Sequence, residues 1–464
     1  MGALLLERAK QIASIISKSR EVLIVTHIDA DGVAAGAIAS KTLERAGKDF
    51  SIKFVKHLDE NVVEEILDRD PDLVWFTDLG SNLENNSIPR VVTDHHQCDS
   101  GKDAPFHLNP HLFGLDGSIA ISGAGTTYMV AKALDNKNID LSSLAIVGAC
   151  GDLQDRKHCK LVGINREILK DGKKAGVIGW EMDVQYFGRE TRPLHKLLQY
   201  ATDPIIPGVT GREDGAISFL LDVGIPLKDG DFWRRWIDLS KDEKRKILSK
   251  ITKMLIKKGF GNKLAKRLIG EIYILTNEKI GTELHDAKEF ATLLNSTARY
   301  GQPEIGLNVC LGDRDKWLKK ARTMLQSHRH NLIEGIQFAR DEGIVRRKYL
   351  QYFHAGEGIR DTIVGIITGM LLNGEEVNAD LPMIGFAVTD DGKIKVSARG
   401  TKRLVEKGLN LSSALHEAAE KVGGMGGGHD IAAGATIPKG EEERFLDILE
   451  EKIKTQLQSS KDVL

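Results

Sequence analysis

Within the first 155 residues, four apolar runs each end in an acidic or histidine-bearing cluster, and this pattern constrains the chain more than any other feature. Val22-Leu23-Ile24-Val25 leads to His27-Ile28-Asp29-Ala30-Asp31-Gly32. Leu73-Val74-Trp75-Phe76 leads to Asp78-Leu79-Gly80-Ser81. Val91-Val92 leads to Asp94-His95-His96, and the run Leu144 to Cys150 leads to Asp152. Helical stretches separate the strands, at 32–46 and 60–68, with a further β-rich run at 51–55. Strand–helix–strand alternation predicts a parallel sheet covered by helices. Residues 123–135 and 141–150 read as helices, the first opened by Gly-Ala-Gly before Thr126.

In an open parallel sheet, ligands bind beyond the carboxyl ends of the strands. Three of the four clusters stand at such ends, and neighbouring strands lie about 4.8 Å apart, so the clusters converge. Taken singly, each has a bland explanation: Asp-x-Asp-Gly is a common turn, and aspartate caps helices. Together, five aspartates in one crevice would repel one another and raise their pKa values. Divalent cations remove that cost. Carboxylate oxygens with some imidazole and no thiolate suit Mn²⁺ or Mg²⁺ better than structural zinc. A pair of such ions is the usual clamp for displacement at phosphorus.

Composition narrows the alternatives. Lys+Arg is 65 and Asp+Glu 66, a net charge of -1, which excludes a uniformly basic nucleic-acid wrapper and an acidic disordered chain. Four cysteines without a C-x-x-C pair exclude a disulfide scaffold and point to a reducing, cytoplasmic setting. The longest apolar run, Ile363 to Leu372, is too short to span a membrane, so no membrane partner is expected.

Beyond residue 190 the texture changes. The segment RETRPLHKLLQYATDPIIPGVTG carries three prolines. Residues 231–268 then hold 13 Lys/Arg against 4 Asp/Glu, as in a helical module set into the chain. That basic stretch either tracks a nucleic-acid backbone or docks a protein, with Trp233 and Trp236 as anchors. A long charged helix follows at 313–341. A second α/β domain comes next, with strands near 348–353 and 383–388, a hairpin turn at Asp390-Asp391-Gly392 and a glycine-dense loop, GGMGGGHDIAAG. Glycines there permit close backbone approach to a phosphate, and Ser397 and Arg399 upstream supply polar contacts to the same kind of group.

HIDADG, TDLGS, TDHH and GACGD resemble the four motifs of the DHH phosphoesterase superfamily, and GGGHDIAAG with Ser397-Ala398-Arg399 resembles its DHHA1 domain. Within the superfamily the likeness is to RecJ-like exonucleases, in particular the archaeal GINS-associated nucleases. RETRPLHKLLQYATDPIIPGVTG, HDAKEFATLLNSTARYG and IRDTIVGIITGM support it. The resemblance implies an α/β fold: a DHH catalytic domain at 1–192, a mainly helical, partner-docking insertion at 193–284, a return to the DHH domain at 285–312, a connecting helix at 313–342 and a smaller α/β DHHA1 nucleic-acid-binding domain at 343–464.

The same resemblance assigns the site. One ion would take His27, Asp29 and Asp78; the other would take Asp31, Asp78, His95 and Asp152, with Asp78 bridging. Spacing does not say which DHH histidine ligates. The resemblance gives His95 to a metal and His96 to the scissile phosphate, with Asp94 orienting a histidine. Arg299 ends Asn295-Ser296-Thr297-Ala298-Arg299, where relatives have Asn-Ala-x-Gly-Arg, and would contact phosphate. Ser397, Arg399, Gly426, Gly427, Gly428 and His429 would bind substrate. The implied activity is a two-metal, Mn²⁺-preferring (Mg²⁺ also suitable) exonuclease on single-stranded DNA or RNA, 5′→3′ on DNA, in replication or repair, with the GINS complex docking on the insertion. The rivals are a small-molecule or short-oligonucleotide phosphoesterase, which shares every catalytic residue, and a replication scaffold with a vestigial site.

Overall fold

The computed structural model describes residues 2–84, 87–99, 103–257, 266–372, 374 and 377–459; residues 258–265 of the basic stretch and the last five of the chain lie outside this set. The chain divides into two compact units, Met1–Leu325 and Gln326–Leu464. Among the described residues, no helix is long and apolar enough to cross a membrane.

The first unit is built on a five-stranded sheet: β1 (Glu21–His27), β2 (Asp49–Val55), β3 (Leu73–Thr77), β4 (Arg90–Thr93) and the two-residue β5 (His107–Leu108). Their order is β2-β1-β3-β4-β5, and every pairing is parallel. β5 has no apolar run of its own, so the sequence pattern did not announce it. Side chains alternate between two cores. Val22, Ile24, Trp75 and Val91 face the helices α1 (Gly2–Lys18), α2 (Ala30–Arg45) and, further along the chain, Gly123–Leu134. Leu23, Val25, Val74, Phe76 and Val92 face α3 (Glu60–Asp68). The continuous apolar strands follow from burial on both faces. Strand order reverses between β1 and β3, the switch point where doubly wound sheets bind ligands.

The register then places the motifs. Thr26 pairs with Thr77, and Thr77 with Thr93. One residue further on, His27 and Asp78 come off the same edge, followed by Asp94. α4 (Gly123–Leu134) is capped by Ser122, which accepts from the Gly125 N–H, and α5 (Ser142–Gly151) ends at Asp152.

β6 (Ile178–Val184) pairs antiparallel with a strand at Ile269–Leu275, and the insertion leaves and returns through this pair. It holds short helices at Leu194–Gln199 and Glu213–Asp222, a small hairpin joining Lys228–Asp229 to Phe232–Trp233, and a helix at Lys241–Lys257, around a separate core. Trp236 departs from expectation. It is fully buried in that core and its Nε1 donates to Asp183 Oδ1 at 2.9 Å, so it cannot anchor a partner. Among the described residues of the insertion, Trp233, 44% exposed, and Phe232, 81% exposed, are the large aromatics that face solvent.

The helix Lys316–Glu342 belongs to both units in turn: Leu318, Ala321 and Leu325 join the first core and Ala339 the second. The second unit carries a six-stranded mixed sheet. The Asp390-Asp391-Gly392 turn joins antiparallel strands Met383–Val388 and Ile394–Arg399 as expected. The glycine loop is different. Met425–Gly428 is an edge strand, paired antiparallel with Ala432–Ile437. Without side chains the run can lie close to its neighbours as a strand, and only Gly428 of the GGG triplet has positive φ, +140°.

Trp75 is wholly buried and its Nε1 donates to Thr93 Oγ1 at 3.0 Å. Trp75→Ala should destabilise the first unit by about 3–5 kcal/mol, measured as a lower midpoint in urea unfolding.

Candidate metal centre

The motif side chains gather around Asp78. This residue follows β3 with φ +60°, a left-handed conformation that a side chain beyond Cβ adopts only at a cost, as at many functional sites. Its backbone N–H is held by Thr93 O at 2.8 Å, and its carboxylate is aimed into the crevice. On one side, His27 Nδ1 lies 3.1 Å from Asp29 Oδ2 and 3.5 Å from Asp78 Oδ2. On the other, His95 Nε2 lies 3.3 Å from Asp78 Oδ1, 3.1 Å from Asp152 Oδ2 and 3.7 Å from Asp31 Oδ2. His27, Asp29 and Asp78 offer ligand atoms within 4.8 Å of one another, as do Asp31, His95 and Asp152. The same holds for Asp78, His95 and His96, so geometry alone leaves His96 as a possible third histidine.

Each ligand is positioned by the local fold. Asp29 caps α2, its Oδ1 accepting from Gly32 N at 2.9 Å, which leaves Oδ2 for the crevice. Asp31 meets the N-terminus of α4 and accepts from Gly123 N at 2.6 Å and Ala124 N at 3.0 Å, where the helix dipole favours an anion. Asp152 stands at the opposite, negative end of α5, where a carboxylate needs a nearby cation. His95 Nδ1 donates to Gly117 O at 2.9 Å, which turns Nε2 toward the acids, the arrangement expected of a metal-binding imidazole. Asp94 takes no place in the cluster. It accepts from Ser81 N, His95 N and His96 Nδ1, the last at 2.8 Å, and so directs His96 outward, where its side chain is 55% exposed.

The electrostatics fit cations. Both Asp78 oxygens are buried with no hydrogen-bond donor, an expensive state for a carboxylate unless a cation offsets it. Burial, then the Asp78 and Asp152 carboxylates, pushes Asp31 well above the usual carboxylate range. Burial likewise raises Asp152, against the pull of His95. Burial works to lower the histidines, but Asp29 and then Asp78 carry His27 up to about 11, and Asp152 and Asp78 hold His95 well above its ordinary value. Without a metal, protons supply the positive charge this crevice requires. Burial opposes ionisation of Asp94, yet His96 keeps it below the usual range, and the same contact raises His96.

A cavity of about 1010 Å³ opens over this centre and is lined by His27, Lys56, Asp78, Ser81, Asp94 and His96, among others. Arg299, the last residue of the helix Ala287–Arg299, is half-buried and within the electrostatic reach of Asp29. Four contributors come from distant segments; Asn109 and Gly117 carry no sequence signal of their own, and Gly148 and Asn295 stand in quoted motifs but were not read as parts of the site. Asn109 donates to Ser81 Oγ at 2.7 Å and His96 O at 2.9 Å. Asn295 Oδ1 accepts from Ala30 N at 3.1 Å. The Gly117 carbonyl fixes His95. Gly148 leaves room for a ligand: a Cβ there would come within 2.1 Å of Asp31 Oδ1. In the second unit, Ser397 and Arg399 lie on the strand Ile394–Arg399, two strands from the glycine edge. Arg399 Nη1 donates to Ala398 O at 2.9 Å, and His429 N donates to Ala432 O at 2.8 Å.

Two outcomes follow from this geometry. The metal must displace protons from His27 and His95, so Mn²⁺ binding should release protons, and affinity should climb with pH through the neutral range. Calorimetry in buffers of different ionisation enthalpy measures the release, and a pH-independent affinity would contradict it. Gly148→Ala should weaken Mn²⁺ binding at least tenfold by displacing Asp31 and should also lower the thermal midpoint, because the added Cβ would lie 2.6 Å from Ala124 Cβ; calorimetry and melting read the two effects separately.

Comparison with known proteins gives a consistent frame. The DHH-CID domain family matches residues 186–269 and the DHHA1 domain family residues 347–455. An uncharacterized protein of Methanocaldococcus jannaschii is 31% identical over 473 residues, spanning 98% of this chain and 100% of that one. Among solved structures, RecJ of Thermus thermophilus in complex with Mn²⁺ has a TM-score of 0.59 at 17% identity; the match covers 97% of this chain but 55% of that one, so this chain spans little more than half that RecJ's length. An exonuclease RecJ bound to manganese has a TM-score of 0.57 at 18% identity, covering 97% of this chain and 94% of that one. CDC45 from Entamoeba histolytica has a TM-score of 0.64 at 13% identity, covering 98% of each chain. The chain thus belongs to one family with the Methanocaldococcus jannaschii protein, carries DHH-CID and DHHA1 domains and shares its fold with RecJ and CDC45.

Proposed function

We propose that the protein is a two-metal exonuclease that hydrolyses phosphodiester bonds in single-stranded DNA or RNA, 5′→3′ on DNA, in an archaeal replication or repair setting in the cytoplasm. The observation that carries this is the completeness of both half-sites: His27, Asp29 and Asp78 on one side, Asp31, Asp78, His95 and Asp152 on the other, sharing one carboxylate. Divalent cations held there, Mn²⁺ by preference or Mg²⁺, would make water nucleophilic near neutral pH and neutralise charge at phosphorus. Asp78 would offer one carboxylate oxygen to each half-site. His96, aimed by Asp94, stabilises charge that develops on the phosphoryl oxygens. Arg299 holds a phosphate beside Asp29.

In this reading residues 1–192 and 285–312 make the catalytic domain, and 343–464 bind nucleic acid. Ser397, Arg399, Gly426, Gly427, Gly428 and His429 supply phosphate contacts, with the glycine edge strand bringing backbone groups close. The helix at 313–342 connects the two. The insertion at 193–284 docks the GINS complex, with exposed Phe232 and Trp233 as its anchors. The CDC45-like fold favours a second reading, a replication scaffold without turnover; the intact ligand set weighs against it.

The test is incubation with Mn²⁺ and three labelled substrates: a long single strand, a duplex and a dinucleotide. The expected result is stepwise shortening of the single strand from its 5′ end, abolished in Asp78→Ala because both ions lose a ligand. Cleavage of the dinucleotide alone would make the protein a short-oligonucleotide phosphoesterase, and no cleavage of any substrate would make it a scaffold.

A further inference from the structure

The helix Lys241–Lys257 of the insertion carries two kinds of cation. Ile247, Ile251 and Leu255 seat it on the insertion's core. The lysines beside that seat are taken up within the fold. Lys244 Nζ lies 2.9 Å from Asp183 Oδ2 and 5.5 Å over the Trp236 ring. Lys250 Nζ lies 3.2 Å from Asp222 Oδ2 and 4.9 Å over the Phe219 ring. The acid Glu243 is taken up in the same way, by Arg234 at 2.8 Å.

The outer face is different. Five of its exposed residues are cations, Lys241, Arg245, Lys246, Lys253 and Lys257, and one is an acid, Asp242. Asp242 lies 3.5 Å from Arg245 with both side chains largely exposed, so the pair neutralises little. Among the described residues, Lys241, Lys246, Lys253 and Lys257 enter no ion pair. Lys241, Arg245, Lys253 and Lys257 stand at multiples of four and so follow one i±4 ridge, about 24 Å from end to end. Lysine content alone does not produce such a face. The helix Asn165–Ala175 is also rich in cations, but Arg166 pairs with Glu271, Lys170 Nζ lies 2.8 Å from Glu167 Oε1, and Lys173 Nζ sits 5.0 Å over the Trp180 ring.

Composition separates this face from the hairpin that carries Phe232 and Trp233. Protein interfaces centre on buried aromatic residues and are depleted in lysine. The hairpin has that character. The helix face has no aromatic residue and one exposed apolar residue, Ile256. A phosphate backbone needs neither, since it is held by charge and the release of its counterions.

We propose that the outer face of the helix Lys241–Lys257 binds the phosphate backbone of nucleic acid, so that the insertion presents one face to nucleic acid and the hairpin to a protein. This goes beyond the nuclease reading and does not require turnover. Without aromatic side chains to stack on bases, the face holds the chain irrespective of its sequence.

The test is binding of a labelled oligothymidylate to the full chain in chelator, followed by fluorescence anisotropy over a salt series. The triple variant Lys246→Gln, Lys253→Gln, Lys257→Gln should lower the slope of log affinity against log salt by about 2 and weaken binding about ten- to hundredfold at about 0.1 M salt. Lys170→Gln, Lys173→Gln, Lys174→Gln, which removes as much charge from the other helix, should change neither. Lys253→Glu alone, at an exposed position, should weaken binding about fivefold or more, which keeps the test valid if the triple variant does not fold. The proposal is overturned if the strand does not bind, if the helix variants bind it like the unaltered chain, or if both triple variants lose affinity equally. It is also overturned if an oligoglutamate binds as tightly as the strand and depends on the same lysines, because the face would then suit an acidic protein. A chain that binds as expected but cleaves nothing sinks the nuclease reading and leaves this surface standing; cleavage with binding unaltered in the helix variants does the reverse.

Discussion

The carboxylate of Asp78 is the interaction on which the first unit's acidic crevice depends. Both its oxygens are buried without a donor, and a histidine approaches each side. A buried, unpaired carboxylate is costly, so the surrounding elements act to keep it tolerable: the two histidines, the helix N-terminus that takes Asp31 and the N–H groups that hold Asp94. Removing any of these would not simply delete one contact. It would leave charge uncompensated in a crevice already dense with acids. The left-handed backbone of Asp78 belongs to the same arrangement, because it points the side chain back over the sheet edge.

The sheet makes this arrangement possible. In a parallel sheet all the strands end on one side, so residues far apart in sequence come off the same edge at strand spacing. The threonine row Thr26, Thr77 and Thr93 fixes the register, and each motif begins one residue later. A one-residue slip would reverse the side chains of a strand, burying His27 or Asp78 under the helices. The two apolar cores on the faces of the sheet therefore hold the geometry of the acidic cluster as well as the fold.

The insertion shows how the same logic extends outward. It leaves and returns through one antiparallel pair, so it can carry its own core around Trp236 while remaining attached to the helix that bears Asn295 and Arg299. The buried pair of Arg189 with Asp183 and Asp286, at 2.9 and 3.1 Å, ties the segment entering it to the start of that helix. A ligand or partner engaging this segment is thereby connected to the loop of Asp29 by packed, hydrogen-bonded elements.

The sequence by itself determined the fold class and the chemistry of the centre. Apolar runs of β-rich residues, each followed by acids or histidine, call for a sheet whose edge collects them, and a donor set of that kind suits a hard divalent cation. His27, Asp29, Asp31, Asp78, His95 and Asp152 were legible because each stands in a local pattern. Tertiary structure alone decided what local pattern cannot encode. The short strand His107–Leu108 exists only because β4 offers it an edge. Trp236 turned inward because Asp183 accepts its N–H, and the glycine run became a strand because Ala432–Ile437 pairs with it. Asn109, Gly117, Gly148 and Asn295 acquire roles only where distant segments meet: periodicity and spacing report on neighbours along the chain, whereas support for a buried charge comes from whatever the fold brings within hydrogen-bonding distance.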